Sequence, residues 1–157
     1  MSGEALAIVA GWGELPRLIA EDCRARGEPY LVVSFPGSAP LWTAGHPHQE
    51  HRFERPGALF RALRRAGCAR VVFAGGMDRP RLALSRLDLK GLSVAARVIS
   101  LMRRGDDALL TGLAAIFERE GFRVVSPADV LGSHALTAPP GVLGAVRPDA
   151  RARADAA

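Results

Sequence analysis

A chain of 157 residues that is 48% hydrophobic is long enough to bury one core and too short for a second domain of comparable size. Its formal net charge of +5 comes from twenty arginines and one lysine spread over predicted helix faces with few aromatics between them, so the clustered basic stripe of a nucleic-acid binder is missing and no nucleic-acid partner is expected. No apolar run reaches the roughly 18 residues of a membrane span and the N-terminus lacks the pattern of a signal peptide, so a cytoplasmic protein is expected, with a weak attraction to an anionic membrane surface left open.

Short β-rich runs alternate with amphipathic helical runs, the pattern of a parallel sheet covered by helices. The expected fold class is α/β, a Rossmann-like parallel sheet flanked by helices in a single domain with a C-terminal linker tail. The first strand runs from Leu6 to Ala10. A helix follows from about Pro16 to Arg26, with Leu15, Leu18, Ile19 and Cys23 as its apolar stripe, Pro16 in the first turn and Gly27 as the stop. The second strand, Tyr30 to Phe35, is apolar enough to be buried on both faces and ends at Pro36 and Gly37.

Residues 36–50 are rich in Pro, Gly, Ser and His without a period and read as a surface loop, with a short strand at His51 to Phe53. A helix from Pro56 to Ala66 turns Leu59, Phe60 and Leu63 inward, stops at Gly67 and feeds a strand from Arg70 to Ala74. Helical periods then run from Leu92 to Arg104 and from Asp106 to Glu120, followed by a strand at Arg123 to Ser126 and a helical turn at Pro127 to Leu131. From Ala138 onward the chain is Pro, Gly, Ala and Arg and reads as a linker or frayed tail. Strand order is not set by these patterns.

In a parallel sheet the turns that follow the strands share one edge, where ligands bind, and three turns of this chain carry candidate chemistry. Gly11, Gly13, Leu15 and Pro16 form a strand-to-helix turn whose glycines permit close backbone approach and whose helix start favours an anion; a plain tight turn is the alternative. Gly75 and Gly76 open the second turn, in which Arg79, held before Pro80, is able to grip a phosphate or carboxylate or to pair with Asp78 in solvent. The third, Gly105-Asp106-Asp107, offers carboxylates for Mg²⁺ or a water, or N-terminal caps for the helix that follows.

His46, His48 and His51 share one loop without a cysteine partner and read as solvated, and His134 is isolated. Cys23 and Cys68 lack any zinc spacing, each falls in a predicted helix or at its end, and both read as free thiols of a reducing compartment. No nucleophile elbow, zinc helix or Walker loop is present, so no self-contained hydrolytic apparatus is visible. A nicotinamide site fits poorly, because the third glycine position is Pro16 and the second strand ends Val33-Ser34-Phe35 without a ribose-binding carboxylate.

The ordered set Ile8-Val9-Ala10-Gly11-Trp12-Gly13-Glu14-Leu15-Pro16, Val72-Phe73-Ala74-Gly75-Gly76-Met77-Asp78-Arg79-Pro80, Gly105-Asp106-Asp107-Ala108-Leu109-Leu110 and Phe117-Glu118-Arg119-Glu120-Gly121-Phe122 closely resembles the N-terminal domain of the LpxI-type UDP-2,3-diacylglucosamine pyrophosphatases. The match spans about Leu6 to Leu143, with local departures at Trp12, where a glycine or other small residue is common, and in the histidine-rich loop. The resemblance implies a Mg²⁺-dependent hydrolase of lipid A biosynthesis that splits UDP-2,3-diacylglucosamine into UMP and 2,3-diacylglucosamine 1-phosphate. It further implies a Rossmann-like domain over residues 1–143, a linker over 144–157, and a catalytic aspartate in a C-terminal domain outside these residues. The three turns then become substrate-binding positions, with no catalytic residue on this chain and no assigned metal ligand. A homodimer and peripheral contact with the inner membrane complete the expected partners. The reading from another class is a noncatalytic nucleotide- or phosphosugar-binding module.

Overall fold

The computed structural model describes residues 4–37, 40–76, 84–87, 89–102 and 106–132, by backbone alone at 84, 95–99, 101, 102 and 106–110. Five strands, β1 (Ala5–Ala10), β2 (Tyr30–Ser34), β3 (His48–Glu50), β4 (Cys68–Ala74) and β5 (Arg123–Val125), form one sheet in the order β3-β2-β1-β4-β5. All four neighbouring pairs are parallel. Central β1 is buried at every position, as an apolar run covered on both faces must be. The expected α/β class with a parallel sheet is the one observed.

The alternation of side chains along β1 separates two cores. Ala5, Ala7 and Val9 pack with Leu59, Phe60 and Leu63 of α2 (Pro56–Arg65) and with Ile116 and Phe117 of α4 (Asp106–Arg119), joined by Val94 of α3 (Leu89–Met102). Leu6, Ile8 and Ala10 face Ile19, Ala20 and Cys23 of α1 (Leu15–Ala25) and Val130 of α5 (Pro127–Leu131). The chain therefore leaves β1 toward one face and β4 toward the other, which makes the gap between them the switch point of the sheet. Phe117 centres the first core, edge-on to Phe60 and Phe73 at centroid distances of 5.1 and 5.3 Å. The second is closed by α5, which starts in a capping box: Ser126 accepts from the Asp129 N–H and Asp129 accepts from that of Ser126.

Several expectations are corrected. The expected loop over 36–50 contains a 3₁₀ turn at Leu41–Gly45 and strand β3, whereas His51 to Phe53 is not a strand. β3 owes its form to pairing with β2, Val32 opposite His48 and Ser34 opposite Glu50, and three residues are too few to show a period. Phe53 stacks on Phe35 instead, at 3.7 Å between ring centroids. Cys68 opens β4 and does not end a helix. Leu18 and Leu92, expected in apolar stripes, are exposed, because the inward arc of α1 is Pro16, Ile19, Ala20 and Cys23 and α3 turns Gly91 and Val94 inward. His134 and the tail from Ala138 lie outside the described residues. Among the described residues, no helix is long and apolar enough to cross a membrane.

The helix directions follow from one carboxylate. Glu120, just past α4, binds Arg64 at the end of α2 (2.8 Å) and Lys90 at the start of α3 (2.6 Å). α2 ends, α3 begins and α4 ends at the amino edge of the sheet, where Arg123 opens β5 beside Arg70. The 14 residues of α4 span about 21 Å, matching about 23 Å for the 7 residues of β4. Asp106 therefore starts α4 at the carboxyl edge.

Burial pushes the Glu120 carboxyl up, but hydrogen bonds and charge from Lys90 and Arg64 outweigh it and hold it below its ordinary 4.5. A depressed folded value contributes stability above 4.5 that is lost as pH falls through that lower value. Glu120→Gln is expected to lower stability toward urea at pH 7 by about 1 kcal/mol, and the two proteins are expected to converge at pH values below the folded one.

Candidate functional site

At the carboxyl edge, the turns after β1 and β4 meet backbone to backbone. Gly11 N–H donates to Ala74 O (2.8 Å), Trp12 N–H to Gly76 O (2.7 Å), and Gly76 N–H back to Trp12 O (2.9 Å). The parallel ladder between β1 and β4 thus ends in an antiparallel bridge between Trp12 and Gly76. A Cβ on Gly11 would stand 1.9 Å from Gly76 O, one on Gly75 2.5 Å from Trp12 O, and one on Gly76 2.3 Å from the Trp12 ring. Gly75 also holds φ at +83°, a conformation that L side chains rarely adopt.

Four of the expected residues, Gly11, Gly75, Gly76 and Pro16, are brought together here, with buried Pro16 placing its Cγ 3.1 Å from a Cβ on Gly75. Leu15 packs alongside, against the core beneath α1. The glycines were expected to admit a ligand; at Gly11 and Gly75 the group that approaches is the other turn. Gly13 is different: its φ of +105° calls for glycine, yet nothing lies within 4 Å of its Cβ position. The surface that these turns offer a ligand therefore begins at Trp12 and Gly13.

Beyond them, α1 starts without a side-chain cap: Glu14, at the N-cap, makes no capping bond, and the first turn of the helix carries no acid. The carboxylate is turned to Arg17, which Glu14 and Glu21 bracket at 2.7 and 2.8 Å. Hydrogen bonding and charge from Glu14, with the charge of Glu21, raise the Arg17 pKa, so this guanidinium already has two anionic partners. Asp106 and Asp107 begin α4 at the same edge; their side chains, and Arg79 and Pro80 altogether, lie outside the description.

At the end of β2, where a dinucleotide site would place its ribose-binding acid, Ser34 is fully buried with its Oγ 2.7 Å from His48 Nε2. Sequence reading passed over this pair, although a hydroxyl in an otherwise apolar strand was a signal that it needs a partner. The histidines are correspondingly not a solvated set: His46, His48 and His51 are all half-buried. His46 Nδ1 lies 2.6 Å from Tyr30 Oη, and Trp42 meets the ring edge-on at 5.3 Å. Burial, with Arg24 nearby, lowers the His46 pKa, and burial alone lowers that of His51. Among the described residues, no group of three or more His, Cys, Asp or Glu could hold a metal ion.

The family model described as the LpxI N-terminal domain matches residues 5–134. The chain belongs to that family. A UDP-2,3-diacylglucosamine pyrophosphatase LpxI from Caulobacter vibrioides is 36% identical over 150 residues, which are 96% of this chain and 53% of the relative. This LpxI N-terminal domain thus spans about half the length of the curated relative that it matches. The matched span takes in both glycine turns and the start of α4.

Gly11→Ala is expected to destabilise the domain by about 3 kcal/mol, because backbone must move to admit the methyl group. Gly45→Ala, which meets nothing within 4 Å, is the neutral control in the same urea titration.

Proposed function

We propose that this chain is the substrate-binding N-terminal domain of a UDP-2,3-diacylglucosamine pyrophosphatase, which hydrolyses its substrate to UMP and 2,3-diacylglucosamine 1-phosphate. The observation that carries the reading is the family match over residues 5–134, together with a relative named for that activity. In the reaction, water adds across one P–O bond of the pyrophosphate, and one phosphate leaves with the uridine and the other with the sugar.

The geometry supports a binding role. Helices α1 and α4 both start at the edge where β1 and β4 end, so two positive helix ends face the same side as a pyrophosphate would. Arg79, on the turn after β4, is assigned to grip a phosphate. Gly13, Leu15 and Pro16 form the strand-to-helix turn after β1, and Gly11, Gly75 and Gly76 hold the start of that turn against the start of the turn after β4. The catalytic aspartate is assigned to the C-terminal domain that the resemblance implies. Mg²⁺ rests on the resemblance; a cytoplasmic location, peripheral contact with the inner membrane and a homodimer belong to the same proposal.

By titration calorimetry, UMP and UDP-sugars are expected to bind the chain and NAD is not. Hydrolysis of UDP-2,3-diacylglucosamine should be negligible until the C-terminal domain is supplied. Full Mg²⁺-dependent turnover by these 157 residues alone would refute the division of roles and turn attention to Asp106 and Asp107. Tight NAD binding without a response to uridine nucleotides would sink the substrate assignment. Arg79→Ala is expected to weaken phosphate-containing ligands by about tenfold without unfolding the domain, and unchanged affinity would return Arg79 to a solvated loop role.

A further inference from the structure

Trp12 is 63% exposed, yet its backbone is paired on both sides. Its N–H and C=O are both hydrogen-bonded to Gly76, and its ring lies so close to Gly76 that any side chain there would stand 2.3 Å from the indole carbons. The bare backbone of Gly76 thus seats an aromatic ring that remains mostly in solvent. The turn itself needs only the Trp12 backbone, and a ring this exposed adds little to stability by burial. The ring stands at the switch point between β1 and β4, the place in an open parallel sheet where ligands enter.

A rigid planar ring held at a ligand edge is suited to stack on another planar ring. Base-to-aromatic stacking tolerates any base and is worth a useful share of binding energy. We propose that Trp12 is the stacking platform for the nucleobase of the substrate, and so a binding residue that positions the uridine end of a UDP-linked ligand. The proposal rests on the UDP-linked substrate assigned above and adds where its base sits. It assigns the diacylglucosamine end elsewhere, because an acyl chain on the indole would leave the base without this platform.

The chain has two tryptophans, so Trp42→Phe leaves Trp12 as the only indole emitter. Titrating this variant with UMP is expected to quench emission saturably, with the dissociation constant that calorimetry gives. In the otherwise unaltered chain, Trp12→Ala is expected to weaken UMP by about tenfold and Trp12→Phe to recover most of the loss, while inorganic pyrophosphate binds both variants alike. Circular dichroism and the melting temperature of Trp12→Ala should match the parent, since only an exposed ring is removed. UMP binding by calorimetry with unchanged emission and full affinity in Trp12→Ala would overturn the stacking role while leaving the UDP-linked substrate standing. Emission that responds to a short-chain diacyl lipid and not to UMP would overturn it in favour of an acyl contact. Absence of any UMP or UDP binding would remove both readings. Calorimetry on the Trp12 variants decides the matter even if Trp42→Phe fails to fold.

Discussion

The turn after β1 and the turn after β4 touch backbone to backbone, and nothing larger than hydrogen fits at positions 11, 75 and 76. In an open parallel sheet the two loops at the switch point ordinarily diverge and a ligand enters the crevice between them. Here the Trp12–Gly76 bridge closes the floor of that crevice. The exposed surface at this edge therefore lies outward of the bridge, at the ring of Trp12 and at Gly13. The same bridge couples the end of the central strand to Gly76, so the starts of the two turns are set by one short ladder of hydrogen bonds.

The outer half of the sheet is organised differently. β3 is an edge strand of three residues whose side chains are polar, a composition that discourages pairing with another chain. Its hold on β2 combines backbone pairing with the buried contact between Ser34 and His48. That contact also places a satisfied hydroxyl at the end of β2, where a nicotinamide site would need a free carboxylate. The end of β2 thus works as a structural clamp, and the polar demands of the edge strand are met within the fold.

Long apolar or periodic segments were legible in the sequence because burial imposes their pattern. β1, β2, α2 and α4 fall within a residue or two of the expected bounds. The region of His46 and His48 was opaque because its order comes from partners distant in sequence, Tyr30 and Ser34, and not from its own composition. Leu18 and Leu92 were misplaced for a related reason: an apolar period marks a stripe without saying where the covered arc ends. At the site, the glycines announced a close approach, but sequence has no means of naming the approaching group. The exposed seat of Trp12 was equally hidden, since it depends on Gly76 sixty-odd positions along the chain being near in space.

The antiparallel pairing of α3 and α4 has a topological consequence. An ordinary crossover between parallel strands visits the carboxyl edge once, as it leaves the first strand. Between β4 and β5 this chain is there twice, at Gly75 and Gly76 and again where α3 ends at Met102 and α4 begins at Asp106. Glu120 moors the opposite end of the helix pair through Lys90 and Arg64. One crossover thus reaches the carboxyl edge at two places anchored by different contacts, the Trp12–Gly76 bridge for one and the helix pair moored by Glu120 for the other.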